Sequence, residues 1–376
     1  MKPWLVHTEE LSRYAFGAGH PMGSHRVRAA LELARSFGLL ELFDVAEPPP
    51  ADDALLLTVH SPEYLAALRT GQAHPQFGIG TEDQPLTPGL PEVASRIVTA
   101  TTHAAEAVWS GRTRRAVNVS GGLHHAAASA MSGFCMYNDT AVAIRRLLDL
   151  GAERVAYLDL DAHHGDGVEQ IFWDDPRVLT ISVHESGLYL FPGTGFPGDV
   201  GGPDAAGTVV NVALDKHTDD FTWLRTIHAI VPPLLQAFRP QVLFTQHGAD
   251  PHRSDPLTDF DLTVDAMSRM YHTVGSWADR FAQGRWVALG GGGYNRDAVA
   301  RTWVLLLAAV AGVEIDPTVP LPSGGLLTSE TLGDEGADAA LRSYRSGAAV
   351  TENPPPAVVA TSRAVFPYWG LNPYQL

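Results

Sequence analysis

The sequence predicts an α/β fold, a single-domain, open, mostly parallel sheet with helices on both faces. Short apolar, β-branched runs alternate with longer amphipathic segments along the chain. This alternation is typical of parallel strands joined by helical crossovers. The polar clusters follow the predicted strands directly, as expected where ligands bind outside the carboxyl ends of parallel strands.

Each strand is predicted from a short apolar run and each helix from a longer segment with apolar residues at helical spacing. The predicted strands are residues 55–59, 116–119, 154–158, 178–183, 208–212, 241–246 and 286–289. The predicted helices are residues 25–40, 92–109, 139–150, 220–238, 264–281 and 296–313. Together these elements predict one domain over residues 1–315.

Residues 316–376 are rich in Pro, Gly, Ala and acidic residues, and we expect a C-terminal extension that wraps the domain or is partly disordered. Three consecutive prolines, Pro354-Pro355-Pro356, argue against a helix there. The aromatic side chains that would attach the extension are Phe366, Tyr368 and Trp369.

Composition narrows the class of protein. The net charge of −16, from Lys+Arg 26 and Asp+Glu 42, argues against a nucleic-acid partner, because neutralising phosphates needs clustered basic residues. The single cysteine, Cys135, fits a reducing compartment. The chain shows no secretory signal, and its longest apolar run, residues 303–313, is shorter than the roughly 20 residues that span a bilayer. We therefore expect a cytoplasmic protein without a membrane partner.

The segment Tyr-Leu-Asp-Leu-Asp-Ala-His-His-Gly-Asp-Gly at 157–167 follows the strand at 154–158. Asp159, Asp161 and His163 fall at alternate positions, so an extended backbone points all three side chains to one side. This convergence favours a divalent metal site or a proton-transfer site. The alternative interpretation is a polar turn with a buried ion pair.

Two adjacent histidines, His124 and His125, follow a glycine pair after the strand at 116–119. Imidazoles at such a strand end are candidates for general acid–base catalysis. If they reach the carboxylates of Asp159 and Asp166, each gains an orienting partner and its pKa should rise. Which imidazole is the principal base stays open at this point.

Two further clusters follow the strands at 241–246 and 286–289. Asp250 follows the first, and with Asp161 and His163 it would give three ligands with room for water, a pattern of catalytic rather than structural sites. Such ligands suit zinc or ferrous iron. Four glycines at 290–293 precede Tyr294. A phosphate-binding loop is one interpretation, but the motif lacks the P-loop residues, and a flexible hinge that places the Tyr294 hydroxyl near an oxyanion is the better one.

These residues together resemble the zinc-dependent histone deacetylase family, specifically its class I branch and the bacterial acetoin-utilisation deacetylases. The resemblance spans about residues 15–310 and keeps the family's order of motifs. The matching motifs are His20-Pro21-Met22 with His25-Arg26, His60-Ser61-Pro62-Glu63-Tyr64, Gly133-Phe134-Cys135, Phe191-Pro192-Gly193-Thr194-Gly195 and the glycine run.

The resemblance implies a role for each matching residue. It makes Asp161, His163 and Asp250 the metal ligands. His125, paired with Asp166, would act as base and then as acid. His124, paired with Asp159, would be the auxiliary histidine, and Tyr294 would polarise the acetyl carbonyl. The implied substrate-binding residues are Phe134 and Phe191 as the aromatic walls of an acyl-lysine tunnel, Gly133 beside them, Leu257 and Asp83 at the rim, and Arg26 in an inner cavity.

A potassium ion near Asp159 and the Ser182 hydroxyl is also implied by the resemblance. The chain departs from the family at three places, which affect the expected tunnel width and rim specificity. His247-Gly248-Ala249-Asp250 replaces Cys-Gly-Ser-Asp, Pro251-His252-Arg253 replaces small polar residues, and Leu190 replaces a frequent aromatic residue.

The resemblance implies hydrolysis of the acetyl amide of acetyl-lysine in proteins, with an acyl-CoA synthetase as one candidate substrate. An acetylpolyamine amidohydrolase is the alternative with the same chemistry, but Leu257 stands where its acidic gatekeeper is expected, and Gly121-Gly122-Leu123 lacks its Pro-rich lead-in. An arginase-like ureohydrolase would need a second paired-aspartate motif in place of the lone Asp250. A non-catalytic acyl-lysine binding module would have lost His125 or Tyr294.

Overall fold

The computed structural model describes residues 1–50, 52–322, 327–337, 341, 344 and 353–375. Its strands form one sheet in the order β2-β1-β3-β8-β7-β4-β5-β6, and every neighbouring pair is parallel. The strands are β1 Trp4–Val6, β2 Asp44–Ala46, β3 Arg115–Asn118, β4 Val155–Asp159, β5 Val178–Glu185, β6 Val209–Leu214, β7 Val242–Gln246 and β8 Trp286–Leu289. The predicted parallel α/β sheet is confirmed.

Helices cover both faces of the sheet. Those with described bounds are α1 His25–Ser36, α2 Asp53–Leu56, α3 Pro62–Arg69, α4 Leu90–Trp109, α5 Asp139–Asp149, α6 Asp166–Ile171, α7 Asp220–Phe238, α8 Val264–Phe281, α9 Arg296–Ala311 and α10 Pro356–Val365. The helices α3, α4, α5 and α6 pack on one face, and α1, α7, α8, α9 and α10 pack on the other.

The two-residue period of β4 divides its side chains between these two cores. Val155 and Tyr157 point into one core, and Ala156 and Leu158 point into the other. All four are buried, which explains why a strand covered on both faces is apolar without alternation. Asp159 ends the same strand and is fully buried, so the first polar group of the motif lies at the carboxyl edge of the sheet.

The predicted strand at 55–59 is wrong. Residues 53–56 form the short helix α2, which the Asp52 side chain caps by accepting a hydrogen bond from the Ala54 N–H. An apolar run this short fits a helical turn as well as a strand, and the capping aspartate favours the turn. The other predicted strands and the predicted helices are present, with ends displaced by at most four residues.

The three-residue strands β1 and β2 and the helices α3 and α6 were not predicted. A strand of three residues is too short to show a period, but β1 pairs with both β2 and β3. α3 begins with Pro62 after the capping Ser61, a start signal that the sequence does contain. None of the helices in the described ranges is both long and apolar enough to span a membrane.

The statement that Pro354-Pro355-Pro356 argues against a helix is also wrong. Pro356 is the first residue of α10, a position where the missing N–H costs nothing. The helix lies beside β6, where the Thr361 hydroxyl donates to the Asn211 carbonyl at 2.7 Å. Of the aromatic group, Phe366 is buried, the Trp369 indole donates to the Gly207 carbonyl, and Tyr368 is exposed.

The carboxylate of Asp139, in the first turn of α5, fixes the loop after β3. It accepts hydrogen bonds from the backbone N–H groups of Gly122 and Leu123 and from the Thr101 hydroxyl. The neighbouring Asn138 caps the same helix and donates to the carbonyl of His124 at 3.3 Å. The start of α5 therefore holds the loop that carries the histidine pair.

We expect Asp139→Ala to lower the free energy of unfolding by at least about 2 kcal/mol, because each buried donor left unpaired costs about 1–3 kcal/mol. Urea unfolding followed by circular dichroism measures this change. The matched control is Asp149→Ala at the other end of the same helix, where the side chain is exposed. Equal stability of Asp139→Ala and the control would contradict this function of Asp139.

Candidate active site

The predicted metal ligands meet where the loops after β4 and β7 approach each other. One ligand atom from each of Asp161, His163 and Asp250 lies within 4.8 Å of the other two, and all three residues are buried. His163 Nδ1 lies 3.2 Å from Asp161 Oδ1 and 3.1 Å from Asp250 Oδ2. Two carboxylate oxygens and one imidazole nitrogen therefore converge on one point.

Two glycine residues, Gly248 and Gly292, lie directly against the two carboxylates. A Cβ atom on Gly248 would lie 2.1 Å from Asp161 Oδ2, and one on Gly292 would lie 2.0 Å from Asp250 Oδ2. The Gly292 N–H donates to Asp161 Oδ2 at 2.8 Å, and the Gln246 amide donates to the same oxygen at 2.7 Å. The glycine run therefore acts here as a close-approach loop that orients a ligand carboxylate.

The charges at this point call for a cation. Burial and the nearby Asp161 carboxylate raise the pKa of Asp250. Burial would also raise the pKa of Asp161, but the charge of His124 and the bond to His163 outweigh it and lower that pKa. For His163, burial is outweighed by the bonds to both carboxylates, which raise its pKa to about 10. Without a metal, the His163 imidazole therefore carries a proton between the two carboxylates. A divalent metal bound at its Nδ1 would replace that proton, and this donor set with an open side fits zinc or ferrous iron.

The two histidines each bind a carboxylate. His124 Nδ1 lies 2.8 Å from Asp159 Oδ2, and His125 Nδ1 lies 2.7 Å from Asp166 Oδ1. The Nε2 atoms of the two rings are 3.0 Å apart. Asp159 also accepts from the Tyr157 hydroxyl at 2.6 Å. The predicted pairing of each histidine with its own aspartate is what the structure contains.

The two imidazoles differ in charge. For His124, burial is outweighed by the negative charges of Asp159 and Asp161, which raise its pKa to about 9. For His125, burial and the neighbouring His124 lower the pKa to about 4, although Asp166 opposes them. The expectation of a raised pKa is therefore wrong for His125, because two cations do not fit side by side in a buried site. His125 is neutral, with its proton on Nδ1 facing Asp166, and its Nε2 accepts a hydrogen bond from the protonated Nε2 of His124 at 3.0 Å.

A cavity of about 250 Å³ leads from the protein surface to these groups. It brings together most of the residues that the resemblance assigned to the tunnel and its rim. Its lining residues are Asp83, Gln84, His125, Gly133, Phe134, His163, Leu190, Phe191, Leu257 and Tyr294.

Two phenylalanines form the walls of this cavity. Phe191 meets the His125 ring edge to face at 5.0 Å, and Phe134 meets the Tyr294 ring in the same way at 5.8 Å. Gly133 has a positive φ of 50°, and a Cβ there would lie 2.2 Å from His125 Cδ2. Glycine is therefore required at this position, where the cavity wall meets the His125 ring.

Arg26 supports Tyr294 from the inside of the domain. Its guanidinium donates to the carbonyls of Gly291 and Gly293 and lies over the rings of Tyr294 and Trp303 at 5.3 and 5.2 Å. It also lines an inner cavity of about 20 Å³. Burial raises the pKa of Tyr294, and the charge of Arg26 opposes this only partly. The tyrosine therefore keeps its hydroxyl proton and can donate it in a hydrogen bond.

The departures from the family pattern lie at different depths. Leu190 lines the cavity, so the exchange of an aromatic residue for leucine alters the cavity wall directly. His247 and His252 are buried and do not line that cavity. The ring of His247 packs against Tyr271 at 4.6 Å, and burial lowers its pKa to about 3. The effect on rim specificity expected from these two departures is therefore indirect.

Some residues that complete the site were not predicted. Gln246 orients Asp161, and Asp255 accepts a hydrogen bond from the Tyr294 N–H at 2.6 Å. Gln246 is the last residue of the strand before Asp250, and this position could have indicated it. No local pattern indicates Asp255. The predicted potassium neighbours Asp159 and Ser182 stand opposite each other on β4 and β5.

With this geometry in place, comparison with known proteins identifies the family. Residues 20–310 match the model of the histone deacetylase domain, and the chain belongs to the histone deacetylase family. It is 36% identical over 327 residues to the acetoin utilization protein AcuC of Bacillus subtilis, covering 84% of each chain, and 33% identical over 329 residues to that of Staphylococcus xylosus, again covering 84% of each. Within the family it falls in the branch of these bacterial proteins.

A solved structure has the same fold. The crystal structure of an HDAC homolog complexed with SAHA superposes with a TM-score of 0.76 at 30% identity, over 86% of this chain and 87% of that chain. The chain is thus a hydrolase of the deacetylase family.

We expect Asp250→Ala to lose the metal, because two remaining ligands do not hold a divalent ion in an open site. Elemental analysis of dialysed protein measures the metal content. The control is Asp204→Ala, an exposed aspartate that should keep the wild-type content. An Asp250→Ala protein with stoichiometric metal would overturn the ligand assignment.

Proposed function

We propose that this protein hydrolyses the acetyl amide of acetyl-lysine in other proteins, releasing acetate and the free lysine amine. The observation that carries the proposal is the cavity with aromatic walls, whose lining includes His163, one of the three proposed ligands, and the neutral imidazole of His125. A long apolar stem with an amide at its tip fits this shape. Acetylated proteins in the cytoplasm, including an acyl-CoA synthetase, are the proposed partners.

The metal is proposed to be zinc, with ferrous iron as the alternative, held by Asp161, His163 and Asp250. When bound, such an ion polarises the amide carbonyl and lowers the pKa of a water molecule to about 7 in favourable sites. A structural potassium ion is proposed near Asp159 and Ser182, where it would balance the buried Asp159 charge.

His125 is proposed as the base and then the acid. Its Nε2 would give up the hydrogen bond from His124 and take a proton from water as the new C–O bond forms at the acetyl carbon. The same proton then passes to the lysine nitrogen as the C–N bond breaks. The second water proton, left on the acetic acid, ionises to the solvent or the amine and leaves acetate, which balances the reaction. Asp166 keeps the Nδ1 proton in place, and the positive charge of His124 favours the negative charge that develops beside it.

Tyr294 and the cavity walls are proposed to position the substrate. The hydroxyl of Tyr294 donates to the oxyanion of the tetrahedral state. Phe134 and Phe191 enclose the lysine methylenes, each worth roughly 0.8 kcal/mol on burial. Asp83, which lines the cavity, is proposed to accept backbone N–H groups of the substrate.

An acetylpolyamine is the second candidate substrate, because it presents the same amide. The apolar Leu257 in the cavity lining argues against it, since a polyamine carries further positive charges that need acidic partners. Turnover of matched panels of acetyl-lysine peptides and acetylpolyamines by the metal-loaded protein tests the choice. Faster turnover of the polyamines would replace our proposal.

We expect His125→Ala to keep its metal and to lose about 10²–10⁴ in kcat, the usual scale for general acid–base catalysis. Turnover of an acetyl-lysine peptide, with metal content measured on the same sample, tests this. His217→Ala, at an exposed histidine, is the control. If His124→Ala is far more damaging than His125→Ala, the roles of the two histidines are reversed.

Tyr294→Phe should lower kcat by about 10²–10³ because one oxyanion donor is lost. KM should change little, since the hydroxyl acts mainly on the charge of the transition state. Steady-state kinetics on the peptide gives both values, and Tyr368→Phe, at an exposed ring, is the control. A wild-type kcat in Tyr294→Phe would exclude this role.

A further inference from the structure

A loop of seven residues, 251–257, links three parts of the candidate site. It begins directly after the ligand Asp250 and ends at Leu257 in the cavity wall. In between, Asp255 accepts the Tyr294 N–H at 2.6 Å and the Leu257 N–H at 3.0 Å through its two carboxylate oxygens. The Asn295 amide also donates to the Ser254 carbonyl at 3.2 Å. The position of the Tyr294 backbone therefore depends on the conformation of this loop.

The conformation of the loop depends in turn on His252, a buried residue outside the cavity. Its Nδ1 accepts hydrogen bonds from the backbone N–H and the hydroxyl of Ser254, at 3.2 and 2.7 Å. Since Nδ1 accepts an amide proton, the proton of the neutral ring is on Nε2. That Nε2 lies 2.8 Å from Asp334 Oδ2 and donates to it. The ring thus connects the loop to a carboxylate some 80 residues further along the chain.

Asp334 belongs to the C-terminal extension, beyond the residues 20–310 that match the family. Its side chain is 8% exposed and accepts from Arg301 Nη1 at 2.9 Å and from the Val264 N–H at 2.8 Å. Its own N–H donates to Asp265 at 2.7 Å. A buried carboxylate with this many donors is held firmly to α8 and α9, so it gives His252 a fixed partner.

We infer that Asp334 is a positioning residue of the active site. It fixes the imidazole of His252, the imidazole fixes the loop at 251–257, and Asp255 in that loop fixes the backbone of Tyr294. The inference rests on the proposed function for its kinetic consequences. It extends the catalytic apparatus into a part of the chain that lies outside the family domain.

The kinetic experiment uses the full-length, metal-loaded protein and an acetyl-lysine peptide. Asp334→Ala should lower kcat on the order of 10–100-fold, because a small misplacement of a catalytic group has effects of this size. KM and metal content should change little. The control is Glu335→Gln, at the neighbouring exposed carboxylate, which should behave as wild type.

A purely structural function of Asp334 predicts a different result in a double variant. If Asp334 acts through Tyr294, adding Asp334→Ala to Tyr294→Phe should lower kcat little further, because the hydroxyl that it positions is already gone. If Asp334→Ala lowers kcat by the same factor in both backgrounds, the inference is overturned.

His252→Asn tests the same connection from the loop side and serves if Asp334→Ala does not fold. The shorter amide stays next to Ser254 but does not reach Asp334, so the same fall in kcat is expected. An unchanged kcat in His252→Asn would overturn the inference.

A measurement without substrate separates this inference from the proposed function. Hydrogen exchange should become faster in peptides covering residues 251–258 and 290–295 of Asp334→Ala or His252→Asn, because the backbone there is no longer held. Unchanged exchange in both segments would overturn the positioning role. Absence of peptide turnover by the wild-type protein would instead overturn the proposed function and leave the exchange result to decide the inference.

Discussion

The rest of the site depends on the repulsion between two buried carboxylates, Asp161 and Asp250. Two such groups in contact are stable only if positive charge and hydrogen-bond donors surround them. Here an imidazole, the amide of Gln246 and the N–H of Gly292 supply the donors. His163 lines the cavity, so a metal ion and a water molecule would enter the site from the cavity. The neighbouring strands β4 and β7 end at this point, so the fold itself brings the charges together.

The same carboxylates explain why the two adjacent histidines differ in charge. A positive charge beside them is favourable, and His124 carries one because it faces both Asp159 and Asp161. A second charge 3.0 Å away is unfavourable, so His125 stays neutral. Two adjacent residues of the same type thus differ in charge because of what each ring faces.

The sequence was sufficient for the fold class and for the convergence of Asp161, His163 and Asp250, because each of these groups directly follows a predicted parallel strand. Asp159, Asp161 and His163 alternate along one strand end, and an apolar run precedes each polar cluster. The sequence did not predict the structure of residues 55–59 correctly, because a short apolar run fits a helical turn as well as a strand. It did not predict α10 either, because proline can be the first residue of a helix. It gave no indication of Asp255 or Asp334, since their importance comes from partners far away in the chain. The lowered pKa of His125 could not be predicted from the sequence either, because it depends on the distance to the charged ring of His124.

The position of α10 has a consequence for how molecules of this protein meet. β6 is an edge strand, and an edge strand normally offers unpaired backbone groups to a strand from another molecule. At this edge the Thr361 hydroxyl donates a hydrogen bond to the Asn211 carbonyl. The helix α10 therefore lies where a strand from another molecule would pair with β6. At the opposite edge, β2 has only three residues, too few for a lasting ladder between molecules. Neither edge of the sheet therefore favours edge-to-edge pairing with another molecule, a common first step of aggregation.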